Sequence, residues 1–296
     1  MTQTDDVEDS TAPLIEHLAE LRTRLIRAVL AFLIGMVLCF SFGSAILDFL
    51  LVPIEKTMRA LGDPNPVMQY TAPQEYFFTL VRISMVFGLG LSFPFIANQL
   101  WRFVAPGLYK NEKSAFLPFL IASPLLFILG ASFAHYVVTP LAMQFFLGFA
   151  DAASILSTLI VGDEVGEAKQ GIAIVFNGKV NETLDITLKL IVAFGLCFQL
   201  PVLLTLMGKA GLVSAVGLRN VRKYAIVGIL VLAALVTPPD VITQAILFVV
   251  VYGLYEISIQ LVARVERQRE ARMRADGTWF EDDEDLYDED HEEPQA

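Results

Sequence analysis

The sequence predicts an all-α membrane protein that crosses the bilayer six times, with both termini on the cytoplasmic side. The 296 residues are 55% hydrophobic, and the mean hydropathy is +0.59. Only 18% are charged, against about 25% in an ordinary soluble domain. Six apolar runs approach the roughly 20 residues that a spanning helix needs. Pro94, Pro118 and Pro124 lie inside these runs and are expected to curve the helices into a concave bundle.

The six predicted spans follow one another between charged or polar segments. They cover residues 25–47, 76–100, 115–138, 186–207, 224–236 and 241–262. The fifth and sixth helices are expected to be short, and only residues 237–240 separate them, so they should form a helical hairpin. A fifth helix of this length crosses a full bilayer only if the bilayer thins around it.

The distribution of Lys and Arg sets the predicted orientation. With the N-terminus inside, 15 of the 21 basic residues fall in cytoplasmic segments. Cytoplasmic loops of membrane proteins carry such an excess. The six spans together, residues 14–262, then form one membrane domain.

The ends of the chain differ strongly in charge. Residues 276–296 contain eleven Asp and Glu and no Lys or Arg, which accounts for the whole net charge of −11. We expect a disordered acidic tail there, after a basic cytoplasmic extension at 263–275. Residues 1–13 are expected to form a polar tail, without the basic start of a cleavable signal peptide.

Two long segments are expected on the outer side. In residues 48–75, an amphipathic stretch from Leu50 to Leu61 predicts a short helix at the membrane interface. In the second segment, residues 140–150 should extend the third helix outward. Residues 172–180 suggest a small hairpin around Asn177-Gly178.

Two acidic residues stand out on the expected cytoplasmic side. Glu20 lies on an amphipathic helix that leads into the first span, four residues before Arg24, which predicts a surface ion pair. Glu112 is an isolated acid in a basic loop. It is either a first-turn acid of the third helix or a group that binds a cationic partner.

Three polar residues lie at or near membrane depth. Asp240 follows two prolines and should cap the sixth helix. Glu256 is either functional, as intramembrane acids commonly are, or directed to the interface. Gln199 precedes Leu200-Pro201 and suggests a hydrogen bond between helices. Cys39 and Cys197 lie in apolar runs, and the sequence leaves open whether they meet.

Several classes of enzyme and transporter lack their motifs here. There is no GxxxxGK[ST], HExxH or GxSxG, and no Asp lies inside a predicted span. These absences argue against a P-loop ATPase, a zinc protease and intramembrane serine or aspartyl proteases. We expect no cofactor, no metal and no nucleic-acid partner.

In combination and in this order, the segments resemble the TatC family, the core subunit of the twin-arginine protein translocase. The resemblance covers residues 13–262. It is carried by PLIEHLAELR at 13–22, QLWRFVAPGLYKNE at 99–112, Phe194-Gly195 with Pro201, LVTPPDV at 235–241 and Tyr255-Glu256-Ile257.

The resemblance implies a receptor in the bacterial cytoplasmic membrane, not an enzyme. It would bind twin-arginine signal peptides and work with TatA- and TatB-like single-span subunits and other copies of itself. Folded proteins would cross the bilayer using the proton-motive force.

The resemblance also assigns residues by position. Glu20 and Glu112 match the family's acidic pair for the Arg-Arg motif, and Leu14, Phe103, Tyr109 and Arg22 match its signal-peptide surface and neighbouring positions. Pro53, Pro94 and Asp240 match positions important in the family, whose individual roles the residues do not reveal. The family often has Glu where this chain has Gln199, and an amide cannot titrate. The alternatives are a proton-coupled solute transporter that uses Glu256 and Gln199, and an intramembrane enzyme.

Overall fold

The computed structural model describes residues 5–104, 113–149, 178–238 and 240–275, and this part of the chain is almost entirely helical. Its helices are α1 (Asp5–Ser41), α2 (Gly43–Ala60), α3 (Pro73–Val104), α4 (Lys113–Phe133, continued by a π-helical turn Ala134–Val138 and residues 139–149), α5 (Val180–Cys197), α6 (Leu200–Lys209), α7 (Ala215–Asn220), α8 (Arg222–Val236) and α9 (Val241–Ala275). Two strands, β1 (Met68–Gln69) and β2 (Gly178–Lys179), complete the described elements. The predicted all-α class is confirmed.

Five stretches of the described chain are long and apolar enough to cross a membrane. They are Leu18–Ser41, Pro73–Leu100, Pro118–Phe149, Val180–Lys209 and Val241–Ala275. The fifth predicted span is α8, which has only 15 residues, or about 22 Å at 1.5 Å per residue. This is less than the roughly 30 Å of hydrocarbon in a bilayer. The short fifth helix is therefore confirmed, and the count of six crossings stays a prediction.

The first helix ends earlier than predicted. The apolar run reaches Leu47, but α1 stops at Ser41 and α2 begins at Gly43. A Cβ added to Gly43 would lie 3.3 Å from the Leu80 side chain of α3, so the missing side chain lets the turn approach α3 closely. The short helix predicted from Leu50 onward is confirmed as part of α2.

The third predicted span is longer and less regular than expected. α4 continues to residue 149, so the predicted outward extension is confirmed over its described residues. The π-helical turn Ala134–Val138 was not predicted. Such turns insert one extra residue into an α-helix, and this one contains the buried His135.

The fourth predicted span consists of two helices instead of one. α5 begins at Val180, six residues before the predicted start, and ends at Cys197, and α6 begins at Leu200. Pro201 has no N–H to donate to the carbonyl of Cys197, which explains the break in the helical hydrogen bonds. Together α5 and α6 still form one apolar stretch of 30 residues.

The sixth helix was expected to be short, and this expectation is wrong. α9 has 35 residues because the basic extension 263–275 continues it without a break. That extension contains Ala, Arg, Glu, Gln and Met, which favour helices, and Gly277 is the first glycine after it. The Ala215 N–H donates to Oε1 of Glu266 at 2.9 Å, which holds the extension against α7.

The two long connecting segments meet in a short parallel strand pair. Met68 lies opposite Gly178, and Gln69 lies opposite Lys179. In the predicted hairpin, residues 172–177 lie outside the described residues, and Val180 belongs to α5 instead of a strand. The N-terminal segment 1–13 is helical from Asp5 onward, and the acidic tail 276–296 lies outside the described residues.

The helices pack around α5 and α6. In the most apolar 18-residue segment of α5 and α6, 67% of the residues are buried. The corresponding share in α1, which packs against α3, is 11%. α1 and α3 run antiparallel, because Phe40 contacts Phe77 near one end and Gly35 meets Gly88 further along. We call the end of the bundle with Glu20 the Glu20 end and the opposite one the α2 end. Cys39 and Cys197 are both free and buried, so they serve packing instead of a disulfide.

Candidate functional site

The Glu20 end carries the acid that the sequence singled out. Nε and Nη2 of Arg24 both donate to Oε1 of Glu20, Nε at 2.9 Å. The predicted ion pair is therefore confirmed. The Glu20 side chain is 39% exposed, so it is paired and still reachable from solution. Arg22 on the same helix is exposed, and the side chain of Leu14 lies outside the described part of the chain.

The end of α3 lies at the same end of the bundle as Glu20. Glu20 and Phe103 are on the same side of the contact between Gly35 and Gly88, because α1 and α3 run antiparallel. Phe103 is half-buried there. Glu112 and Tyr109 lie outside the described residues, in the connection that begins just after Phe103. The structure therefore places one member of the expected acidic pair and the start of the loop that carries the other.

A second polar site lies inside the bundle. The Ser123 hydroxyl of α4 donates to Oε1 of Gln199 at 2.7 Å, and Nε2 of Gln199 donates to the Ser123 carbonyl at 2.9 Å. Ser123 is fully buried. The predicted hydrogen bond between helices is confirmed, and it uses both halves of the amide.

Asp240 is a buried helix cap, as its position after two prolines predicted. It is 2% exposed. One carboxylate oxygen accepts from the Thr243 N–H at 2.7 Å, and the other accepts from the Thr243 hydroxyl. A capping side chain of this kind satisfies N–H groups that the first turn of α9 leaves unpaired.

Glu256 is held by an arginine from the neighbouring helix. Nη2 of Arg222 donates to Oε2 of Glu256 at 2.7 Å, and the side chains are 43% and 28% exposed. Close by, the Tyr255 hydroxyl donates to the carbonyl of Leu218 at 2.6 Å. These contacts join α9 to α8 and α7. They give Glu256 a structural partner that neither sequence interpretation had identified.

The two prolines assigned by resemblance lie in different surroundings. Pro53 is buried in α2, and its carbonyl accepts from the Thr57 hydroxyl at 2.9 Å. Pro94 lies inside α3, which continues through it to Val104, and it lines a cavity between the helices. Pro53 lies in α2, at the opposite end from Glu20, and Pro94 lies nine residues before Phe103 on α3.

The sequence analysis missed an ion cluster near the α2 end. Asp185 accepts from Nη1 of Arg82 at 2.9 Å through one oxygen, and Nζ of Lys189 lies 2.6 Å from the other. The cluster ties α3 to α5. The signal was available, because two basic residues inside apolar runs need an acidic partner at similar depth. Within the described ranges, no group of three or more His, Cys, Asp or Glu could hold a metal ion.

Comparison with known proteins identifies the architecture. The family model of the Sec-independent protein translocase protein (TatC) matches residues 16–249. A TatC from Magnetococcus marinus is 41% identical over 290 residues, 98% of each chain. One from Aquifex aeolicus is 38% identical over 263 residues, 89% of this chain and all of the relative.

A solved structure supports the same assignment. The crystal structure of a twin-arginine translocase receptor, TatC, matches with a TM-score of 0.68 and 38% identity. The match covers 84% of this chain and 99% of the other. The relatives are named as components of a protein translocase, which is a transport protein and not an enzyme. With a family model over most of its length and relatives of this similarity, the chain belongs to the TatC family of Sec-independent protein translocase proteins.

Proposed function

We propose that this chain is the receptor and core subunit of a bacterial twin-arginine translocase. It binds the Arg-Arg motif of signal peptides at the Glu20 end, through Glu20 together with Glu112. Leu14, Arg22, Phe103 and Tyr109 form the surrounding surface. It then supports the export of folded proteins, driven by the proton-motive force.

The observation that carries this proposal is the ion pair of Glu20. Its carboxylate already accepts from a guanidinium, that of Arg24, while more than a third of the side chain is exposed. Guanidinium groups bind carboxylates through charge-assisted hydrogen bonds. An arginine of a signal peptide offers the same group and could replace Arg24 or share Glu20 with it.

The position of Glu20 supports the second half of the proposal. Because Glu20 and Phe103 lie at the same end of the bundle, the connection that carries Glu112 starts at that end as well. Two separate carboxylates can serve two consecutive arginines, each through its own hydrogen bonds. The half-buried Phe103 side chain would add an apolar contact beside them.

The orientation of the chain is part of the same proposal. The Glu20 end faces the cytoplasm, both termini lie on that side, and the six spans cross the bacterial cytoplasmic membrane. The excess of Lys and Arg in the segments at this end supports the orientation. TatA- and TatB-like single-span subunits and further copies of the chain would be its partners in the bilayer.

The test is site-specific crosslinking of a signal peptide to the full chain in membranes. Wild-type protein should crosslink an Arg-Arg peptide more strongly than a Lys-Lys peptide. Glu112→Gln should weaken binding by roughly tenfold to a hundredfold, because a charge-assisted bond contributes about 1.5–3 kcal/mol. The protein level in the membrane is the control. If the Glu20→Gln, Glu112→Gln double variant still discriminates between the peptides, the acidic pair does not read the motif.

The alternative of a proton-coupled solute transporter finds less support. It relied on Glu256 and Gln199, and both engage structural partners, Arg222 and Ser123 respectively. A transporter would also bind neither peptide, so the same crosslinking experiment distinguishes the two functions.

A further inference from the structure

The basic extension at the end of α9, residues 263–275, carries a line of exposed arginines. Four exposed residues of the extension follow one another at spacings of three, four and three, which places them on one side of the helix. They are Arg264, Arg267, Ala271 and Arg274, and we call this line the arginine stripe. Within the described part of the chain, neither Arg264 nor Arg267 forms an ion pair with a carboxylate. Nothing in the proposed reading of signal peptides uses this surface.

Other residues of the extension hold it against the rest of the fold. Glu266 accepts from the Ala215 N–H of α7 at 2.9 Å. Arg269 lies against the turn before α7, where a Cβ added to Gly211 would come within 2.9 Å of its Nη1. Glu270 is half-buried and is the only acid of the extension that lies three or four residues from a stripe arginine. The stripe therefore keeps an excess of positive charge on a surface that the described fold leaves open.

The segment that follows α9 in the sequence carries the opposite charge. Residues 281–285 are five consecutive acids, and five more acids fall within residues 288–293. In an extended chain the first five span about 13 Å, which matches the roughly 15 Å from Arg264 to Arg274 along the helix. Residues 276–280 can bridge up to about 17 Å. This is enough for the chain to turn back after α9 and bring the acids beside the stripe.

We propose that residues 281–285 of the acidic tail dock on the arginine stripe of the same chain. Their carboxylates bind the guanidinium groups of Arg264, Arg267 and Arg274 through charge-assisted hydrogen bonds. Each such pair on an exposed surface is weak. A linker of only five residues compensates for this, because it holds the two segments at an effective concentration in the millimolar range. The docked tail covers the positive charge of the extension and so keeps other anions away from it.

An anionic lipid surface fits the stripe less well than the tail does. α9 is one helix of 35 residues, about 52 Å long, against about 30 Å of hydrocarbon in a bilayer. A helix that continues without a break cannot turn to lie along the membrane. With the span ending at Val262, as predicted, Arg274 lies about 18 Å further along the helix. The headgroup region on each side of a bilayer is only about 5–8 Å thick, so this end of the stripe lies beyond it.

Photocrosslinking from the stripe tests the proposal with the full chain. Ala271→benzoylphenylalanine places the crosslinker between Arg267 and Arg274 without removing a charge. The protein is placed in nanodiscs of phosphatidylethanolamine and phosphatidylglycerol, and the products are mapped by mass spectrometry. We expect the main product to join position 271 to residues 281–285 of the same chain. A phospholipid as the main product would make the stripe a membrane contact, and a covalent dimer would show that a second copy occupies it. Either result would overturn the proposal.

Variants of the stripe distinguish binding from mere proximity, since the tail starts close to the stripe whether or not it docks. Arg264→Gln together with Arg267→Gln should lower the yield of the tail crosslink about threefold. Arg219→Gln together with Lys223→Gln is the matched control. It removes the same charge from exposed positions of α7 and α8 outside the stripe and should change the yield little.

Changes to the tail and to the salt concentration complete the series. Replacing the five acids of residues 281–285 with Asn and Gln keeps the length of the tail and should lower the yield as far as the stripe variant does. Raising the salt from about 0.1 M to about 1 M shortens the Debye length from about 10 Å to about 3 Å. The yield should then fall in the wild type and change little in the neutral-tail variant.

An unchanged yield in the stripe variant or in the neutral-tail variant would show that the tail is merely nearby, and would overturn the proposal. Thermal unfolding checks that the stripe variant folds. The neutral-tail variant alters no described residue, so it decides the matter if the stripe variant does not fold. The proposal does not depend on how signal peptides are read, because no signal peptide is present in the experiment.

Discussion

Ser123 and Gln199 bind each other at two points, although 76 residues of chain separate them. The hydroxyl of Ser123 donates to the amide oxygen, and the amide nitrogen donates to the carbonyl of Ser123. The exchange joins α4 to the junction of α5 and α6, where Pro201 interrupts the helical hydrogen bonds. An uncharged side chain thus holds α4 against the break between the two central helices.

Gln199→Leu should lower the free energy of unfolding by about 1–2 kcal/mol, because two hydrogen bonds are lost and the Ser123 hydroxyl is left buried without its acceptor. Unfolding in mixed micelles of a mild and a denaturing detergent measures the change. Gln260→Leu, at an exposed position of α9, is the matched control and should change little. Gln199→Leu should lower the free energy of unfolding less when Ser123 is already replaced by Ala. An equal loss in both backgrounds would show that Ser123 and Gln199 are not coupled.

Gln199→Glu should make the stability depend on pH. A protonated carboxyl can donate to the Ser123 carbonyl and accept from the hydroxyl, as the amide does. An ionised carboxylate can only accept, and its charge is costly at this depth. The free energy of unfolding should therefore fall as the pH rises through the titration of the carboxyl. Parallel pH profiles of the variant and the wild type would contradict this expectation.

Arg24→Gln should tighten the binding of an Arg-Arg signal peptide by about twofold. It removes the guanidinium that occupies Glu20, and an ion pair at this spacing is worth about 0.3–0.5 kcal/mol. Fluorescence anisotropy of a labelled peptide measures the affinity. Arg27→Gln removes the same charge from the same helix without touching the pair with Glu20. Equal effects of the two variants would point to net charge instead of competition.

Glu256→Leu should destabilise the protein by about 1–2 kcal/mol, because it leaves the half-buried Arg222 without its carboxylate. Glu256→Gln keeps an acceptor for Arg222 and should cost less. Thermal unfolding in detergent compares them. Discrimination between Arg-Arg and Lys-Lys peptides should survive in both variants. Its loss in a folded Glu256→Gln protein would give this acid a functional role.

Asn65→Cys should react with a membrane-impermeant thiol reagent in intact cells, whereas Asn220→Cys should resist it. Both positions are exposed in the structure, and the proposed orientation puts them on opposite sides of the membrane. The native Cys39 and Cys197 are each only 8% exposed, so they should contribute little background. Labelling of Asn220→Cys before the cells are opened would reverse the orientation.

Interactions encoded within a few residues could be predicted from the sequence. The partners in the pair of Glu20 with Arg24 and in the cap formed by Asp240 for Thr243 lie at most four positions apart, and both interactions are confirmed. Spacing along a helix fixes such contacts whatever the rest of the chain does.

Interactions between distant segments could not be predicted in the same way. Gln199 was expected to bond another helix, yet nothing local pointed to Ser123. Arg82 and Asp185 are separated by 103 residues. The ring of His135 stacks on Phe49, which lies on another helix, and this contact could not be predicted either. Such pairs depend on which helices pack together and at what depth, which a single sequence does not state.

Some of the predicted helix boundaries were wrong for another physical reason. Hydropathy measures apolar character, whereas a helix ends where its backbone hydrogen bonds end. The apolar run therefore continued past Ser41 and across Pro201, where the helices break. Conversely, the polar residues after Val262 are good helix formers, so α9 continues where the apolar run stops.

The contact between Gly35 and Gly88 also has a mechanical consequence. A Cβ on Gly35 would lie 2.8 Å from the carbonyl oxygen of Gly88, and one on Gly88 would lie 2.6 Å from the backbone of Met36. At this crossing the backbones of α1 and α3 touch with no side chain between them. Glu20 lies about 22 Å along the helix on one side, and Ser41 lies about 9 Å away on the other. If α1 tilted about this crossing, Glu20 would therefore move more than twice as far as Ser41.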